Sequence, residues 1–362
     1  MTPFLARVAL ALFGPSMIGL RFFGALAAGI AMVLTGLMAR EIGGKRPAQL
    51  VAAWAAAIAG PAVFLGSVFQ YVSFDYLWWV LAAWITIRLV QSEDQRWWLA
   101  LGVVVGLGMM TKYTMAFFLA GIGGGIVLTK PRWLLNRWLW YGATIAFLTF
   151  LPNLVWQIRH HFITLDFLKF IHARDVERGS TNGFLPAQVW SVTNPVTVPL
   201  WIAGLYFLLI KPEGKRYRMI GWMYVIPLAL FLIAKGKPYY LSPAYPMLLA
   251  AGAVWGERWS EALSPVATGT VRRWFGPAWW SAGLWSFSWF CLWRRRAHAG
   301  GESPTRQTAI STRSSAGPRW PALWSAFAIR SRATASRLAF WPAMRVRPPP
   351  STFTAAVEAC RK

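Results

Sequence analysis

Apolar runs of bilayer-crossing length recur along the first two thirds of the chain. Residues 22–38, 51–69, 78–90 and 138–156 are almost unbroken in apolar side chains, and they approach the roughly 20 residues that cross a hydrocarbon core. Peptide groups in lipid must hydrogen-bond within their own segment, so each run predicts a helix. Glycine, proline and charge clusters punctuate the pattern. They delimit helices over 17–38, 47–66, 72–90, 97–111, 113–129, 138–157, 196–210, 219–234 and 239–255, with a tenth near 277–293. The expected fold is all-α, a polytopic transmembrane bundle of about nine or ten helices. Residues 1–260 form that transmembrane domain, and 261–362 hold the possible last helix and a basic tail. Between 153 and 168 polar and apolar residues mix at near-helical spacing, which predicts a helix leaving the membrane and then lying on its surface.

Composition excludes a soluble domain: 56% of residues are hydrophobic and 14% charged, against about 25% charged in ordinary globular chains. The net charge of +25 suggests nucleic acid until its distribution is considered. Fifteen of the 37 basic and three of the 12 acidic residues lie from Glu261 onward, so bundle and tail share the excess about equally. Within the bundle the basic residues occupy short loops, as orientation of a membrane protein demands. One alternating set of loops holds Arg40, Lys45, Arg46, Arg88, Arg96, Lys130, Arg132, Arg137, Lys211, Lys215, Arg216, Arg218 and Arg258; the opposite short loops hold Lys112, Lys235 and Lys237. The first set is therefore expected to be cytoplasmic in a multi-pass protein of the cell (inner) membrane. The corner at Lys112, the loop 158–195 and the turn 235–240 then face outward, with the lipid bilayer as partner and no nucleic acid. Residue 1 also falls outside, which leads to the expectation that a preceding segment is missing.

Candidate chemistry gathers on that outer side. Asp75 stands at a helix mouth, where an acid at membrane depth is a functional candidate or a helix-dipole partner. Lys112, placed where the charge rule disfavours lysine, reads as a phosphate ligand or as a snorkelling side chain. Lys235 and Lys237 bring two cations to the phenols of Tyr239 and Tyr240, which an aromatic belt also explains. His160 and His161 are adjacent, point to different sides of a helix and make a poor metal pair, so no metal site is expected. The run 174–178, Arg-Asp-Val-Glu-Arg, reads as a self-paired, solvated surface turn, with Arg174 a further anion-binding candidate. Cys291 and Cys360 fit neither a metal spacing nor a disulfide framework. Phosphate-loop, dinucleotide and nucleophile-elbow motifs are absent from the sequence. The glycines of 121–125 read as a helix-packing surface.

Taken in order, Arg40-Glu41-Ile42-Gly43-Gly44, Phe74-Asp75, Thr111-Lys112-Tyr113, Pro152-Asn153-Leu154-Val155-Trp156-Gln157, Leu165-Asp166-Phe167-Leu168 and Lys235-Gly236-Lys237-Pro238-Tyr239-Tyr240 resemble the bacterial family 39 glycosyltransferases. That group is related to dolichyl-phosphate-mannose protein mannosyltransferases and to lipid A aminoarabinose transferases. The resemblance covers about residues 3–260 and implies a GT-C fold. It also implies a polyprenyl-phosphate-linked sugar donor with no further cofactor, and transfer to a glycan, lipid or protein acceptor at the outer face. Lys112, Lys235 and Lys237 then suit the lipid phosphate, with Arg159, His161, Arg174, Tyr239 and Tyr240 beside them. In this family the principal carboxylate base lies in the first outer loop, and the chain begins beyond that position. Asp75 resembles a secondary acidic position, so the chain as given is expected to lack transferase activity. The Trp- and Arg-rich stretch after about residue 276 reads as a shifted reading frame, or as a basic tail for anionic lipid. The rival readings are a polyprenyl-lipid transporter or flippase, and a non-catalytic membrane fragment.

Overall fold

The computed structural model describes residues 2–262 apart from 61–63, 65, 67 and 93. The expected helix at 277–293, the basic tail and both cysteines lie outside the described residues. Every regular element described is helical. Helix α1 (Thr2–Phe13) leads into α2 (Met17–Glu41), whose first turn is capped by Ser16 Oγ accepting from the amide of Gly19 at 3.0 Å. There follow α3 (Arg46–Ile58), α4 (Tyr71–Ser92), α5 (Trp97–Thr111), α6 (Met115–Thr129) and α7 (Arg137–Arg159). Then come α8 (Ile163–Glu177), the single turn α9 (Phe184–Ala187), α10 (Val198–Leu209), α11 (Arg218–Ile233) and α12 (Tyr245–Ala262).

Helices α2, α3, α4 and α12 pack together, α10 lies on α12, and the pairs α5–α7 and α6–α11 flank them. The core is built from Met38, Trp79, Met115, Phe118, Phe207, Phe231 and Tyr245. Within it Trp79 and Phe118 stack at 4.5 Å. Where helices meet without a wide hydrophobic layer, small residues let backbones touch. A Cβ on Gly102 of α5 would collide with the Gly142 carbonyl of α7, so side chains are barred at that crossing. Gly121 and Gly125 do the same for α6 against Pro227, Met223 and Met219 of α11. Elsewhere α7 turns Trp140, Tyr141, Phe147 and Leu148 outward. So much apolar surface is costly in water but natural in lipid, and the chain is a multi-pass membrane protein.

Among the described residues, four helices are long and apolar enough to cross a membrane: Ile18–Glu41, Tyr71–Ser92, Arg137–Arg159 and Pro212–Ile233. A fifth candidate, Phe184–Val192 with Pro195–Leu209, is bent by 100°. The helix expected at 47–66 leaves helical geometry at Ala59, which is extended. Those expected at 97–111 and 113–129 are found as 15-residue helices, each about 22 Å long and short of a full hydrocarbon core.

Helix α4 separates two charged ends, since Asp75 and Arg88 on it lie about 20 Å apart along the axis. Around Arg88 the loops are interlocked. Its guanidinium lies 2.8 Å from both oxygens of Glu41. The Tyr217 hydroxyl stands 2.9 Å from the Glu41 carbonyl and 2.6 Å from Gln91 Oε1, and Arg258 donates to the Ile42 carbonyl at 3.2 Å. Helix α3 has no side-chain cap of its own. Instead Glu257 of α12 accepts from the amides of Lys45 and Ala48 at 2.8 and 3.3 Å, an anion at a helix N-terminus. Loops that the charge count assigned to one face thus meet at one end of the fold.

Candidate functional site

At the opposite end two short connections converge. Helix α5 stops at Thr111, and Lys112 follows in an extended conformation with its amide still bonded to the Gly108 carbonyl. This sharp stop directs the lysine toward α4. Its ammonium lies 3.4 Å from Asp75 Oδ2, with both side chains largely buried. Thr114, at the start of α6, donates to the same carboxylate at 3.3–3.4 Å. The Lys112 ammonium also sits 4.4 Å from the ring centre of Tyr240 and 5.3 Å from that of Tyr239, a cation–π cage that keeps the charge oriented.

The second connection follows α11. Lys235 takes a left-handed backbone (φ 46°) and is exposed. Gly236 is buried against Phe231, where a Cβ would meet the ring at 2.9 Å. Lys237 begins the 3-10 turn Pro238–Ala244, and its ammonium makes a 2.8 Å ion pair with Asp175 Oδ2. The other oxygen of Asp175 accepts from Arg174 Nη2 at 3.0 Å. Asp175 is 5% exposed: the run 174–178 is self-paired through Arg174 as expected, but its carboxylate is buried, and the expectation of a solvated turn is corrected. The last turn of α8 is tied to a lysine 62 positions further on. Burial on its own would raise the Asp175 carboxyl, but the hydrogen bonds and charges of Lys237 and Arg174 outweigh it and hold the group below the ordinary carboxylate range. Burial pushes the Tyr239 and Tyr240 phenols upward, so both remain neutral donors at neutral pH.

Three cations, Lys112, Lys237 and Arg174, thus face two carboxylates, Asp75 and Asp175, leaving one net positive charge. Lys237 is near enough for its like charge to act on Lys112. Asp75 is engaged as the counter-ion of Lys112. The other sequence candidates fall elsewhere. Arg159 and His161 are exposed at the α7–α8 turn, where His161 and Phe162 have φ of 51° and 53°. His160 is stacked on Trp156 at 4.3 Å. With Lys235, these residues are unpaired with either carboxylate among the described residues. No group of three or more His, Cys, Asp or Glu suited to a metal is found among the described residues. Beside the site lies a polar lattice that sequence reasoning missed. Tyr113 donates to Asn153 at 2.7 Å and accepts from Gln157 at 2.8 Å, and Gln157 reaches Thr164 of α8.

Residues 1–156 match the family described as dolichyl-phosphate-mannose-protein mannosyltransferase. The chain is 27% identical over 262 residues to undecaprenyl phosphate-alpha-4-amino-4-deoxy-L-arabinose arabinosyl transferase 1 of Pseudomonas fluorescens, covering 67% of this chain and 46% of that protein. It is 25% identical over 199 residues to the lipid A galacturonosyltransferase RgtD of Rhizobium johnstonii, covering 51% and 41%. Among solved structures, ArnT from Cupriavidus metallidurans bound to undecaprenyl phosphate superposes with a TM-score of 0.56 at 17% identity, over 75% of this chain and 51% of that one. The chain spans about half the length of the relatives it matches.

Proposed function

We propose that this chain, an aminoarabinose-transferase-like protein with the GT-C fold of the family 39 glycosyltransferases, holds the phosphate of a polyprenyl-phosphate-linked sugar with Lys112, Lys237 and Arg174. The site would lie at the outer face of the cell membrane, with transfer to a glycan, lipid or protein acceptor. One observation carries this reading: cations from three separate elements converge, and a carboxylate already sits between two of them. A position that holds one anion among fixed donors suits another. A sugar leaving a lipid phosphate puts charge on the phosphate oxygens, and cations already oriented stabilise that charge without reorganising. Two neutral phenols over Lys112 keep water off the ammonium and offer hydroxyls to the headgroup.

Transfer also needs a base for the acceptor hydroxyl. Asp75 is committed to Lys112 and Thr114, so the described residues support donor binding more fully than transfer, and the proposal includes an inactive chain. A polyprenyl-lipid transporter is the second reading, favoured by the 100° break between Val192 and Pro195, since discontinuous helices line transporter sites. The test is titration of undecaprenyl phosphate into the full chain in nanodiscs, with Lys112→Ala and Lys237→Ala alongside. Both variants should bind at least tenfold more weakly, and wild-type affinity in both would refute the phosphate site. Sugar release from a lipid-linked donor, against movement of the lipid between leaflets, separates transferase from transporter.

A further inference from the structure

Beneath the Lys237 turn runs a buried chain of hydrogen bonds whose polarity is forced. The amide nitrogen of Gln188 lies 3.1 Å from the Phe184 carbonyl and 3.1 Å from the Pro238 carbonyl. Both are acceptors only, so the nitrogen end of the amide must face them. Gln188 Oε1 then faces the Tyr245 hydroxyl at 3.0 Å and accepts its hydrogen bond. Tyr245, having donated, accepts from Tyr224 at 3.0 Å. The order Tyr224 to Tyr245 to Gln188 to Pro238 admits no reversal. It joins α11, α12 and the bent segment to the residue after Lys237, with Gln188 and Tyr245 both buried. Gln188 also begins a single π-turn, Gln188–Val192, and its carbonyl takes two bonds from Thr193, at 2.7 Å from the hydroxyl and 2.9 Å from the amide. On the other side of Lys237, the Gly236 amide is bonded to the Phe231 carbonyl at 2.8 Å. The lysine backbone is thus pinned on both flanks, while the ends of its side chain and of Asp175 meet beyond it.

We infer that Gln188 is a positioning residue for the anion site: through Pro238 it fixes where Lys237 presents its ammonium, and Tyr245 and Tyr224 lock the orientation of its amide. This rests on the phosphate-binding reading above and deepens it. Gln188 itself touches no ligand in this scheme. Its effect on binding passes through Lys237, so the two residues are energetically coupled.

The experiment measures undecaprenyl phosphate affinity of the full chain in nanodiscs for wild type, Lys237→Ala, Gln188→Glu, Tyr245→Phe, Tyr224→Phe and the double variant Gln188→Glu with Lys237→Ala. Gln188→Glu keeps the acceptor for Tyr245 but turns an oxygen on two carbonyls. It is expected to weaken binding roughly tenfold, with Tyr245→Phe a few-fold and Tyr224→Phe within about twofold. In the Lys237→Ala background Gln188→Glu should add less than about twofold, the sign of action through the lysine. A purely structural role predicts equal losses in both backgrounds, and that result would overturn the inference. So would wild-type affinity in both Gln188→Glu and Tyr245→Phe. Thermal unfolding is followed in parallel, with Met38→Ala, buried at the opposite end, as a control that destabilises without touching affinity. If Gln188→Glu does not fold, the milder Tyr245→Phe decides the matter in the same two backgrounds. If Lys237→Ala itself binds as wild type, the phosphate reading has failed, an outcome distinct from failure of the Gln188 coupling alone.

Discussion

Helix α4 carries Arg88 into one charged cluster and Asp75 into another, and the two are built to different ends. Around Arg88 one guanidinium grips Glu41, Arg216 and Arg258 donate to backbone carbonyls, and a carboxylate caps a helix. Each of those contacts closes a loop against the bundle. Around Asp75 three cations share two carboxylates, aromatic faces cover one cation, and the last turn of a surface helix is tied to Lys237 through Asp175. At the first end the charges hold helices and loops together; at the second, cations lie beside two phenols and the last turn of a surface helix. Electrostatics alone does not distinguish structure from site. What the cations face does: backbone carbonyls and Glu41 at one end, phenols and a surface helix at the other.

The largest expected effect breaks the comparison at its most buried pair. Removing one member of a buried ion pair leaves an uncompensated charge and costs about 3–5 kcal/mol. Lys112→Ala should therefore lower both thermal stability and lipid-phosphate affinity. Adding Asp75→Asn should recover much of the stability and none of the affinity. Recovery of neither would mean that Asp75 is not the counter-ion. Next in size is the locked end. Glu41→Ala strands the Arg88 guanidinium and should cost about 1–3 kcal/mol in unfolding, with undecaprenyl phosphate affinity unchanged. A loss of affinity there would erase the distinction between the ends. Smaller again is Glu261→Ala, which removes only an exposed partner of Lys45 and should leave the unfolding midpoint unchanged.

How far the sequence revealed this arrangement depends on the range of the interaction. Helices α5, α6 and α7 fall within two residues of their expected limits, because glycine, proline and charge are local punctuation. Lys112 and Lys237 were visible as lysines on the face that the charge rule leaves poor. Asp175 was not, because its neighbour Arg174 supplies a local partner while its second partner, Lys237, lies 62 positions away. The end of α3 at Ile58 and the bend after Val192 were hidden because hydropathy does not record where a backbone turns. Gln188 was overlooked for a similar reason: its partners, Pro238 and Tyr245, are brought to it only by the packing of α11 and α12.

The smallest expected effect concerns pH and sharpens the role of α8. The Asp175 carboxyl is held below the ordinary carboxylate value of about 3.9. A group with a depressed folded value stabilises fully above its unfolded value and loses that contribution only as pH falls through the folded one. The attachment of α8 to Lys237 should accordingly be constant from about pH 7 to pH 5. Hydrogen exchange of the α8 amides over that window should show unchanged protection after correction for intrinsic rates. Asp175→Asn should raise exchange in α8 at every pH while leaving amides near Arg88 untouched. If protection of α8 instead fades between pH 7 and pH 5 in the wild type, a different titrating group holds the helix. The contrast between a locked end and a releasable one would then have to be redrawn around that group.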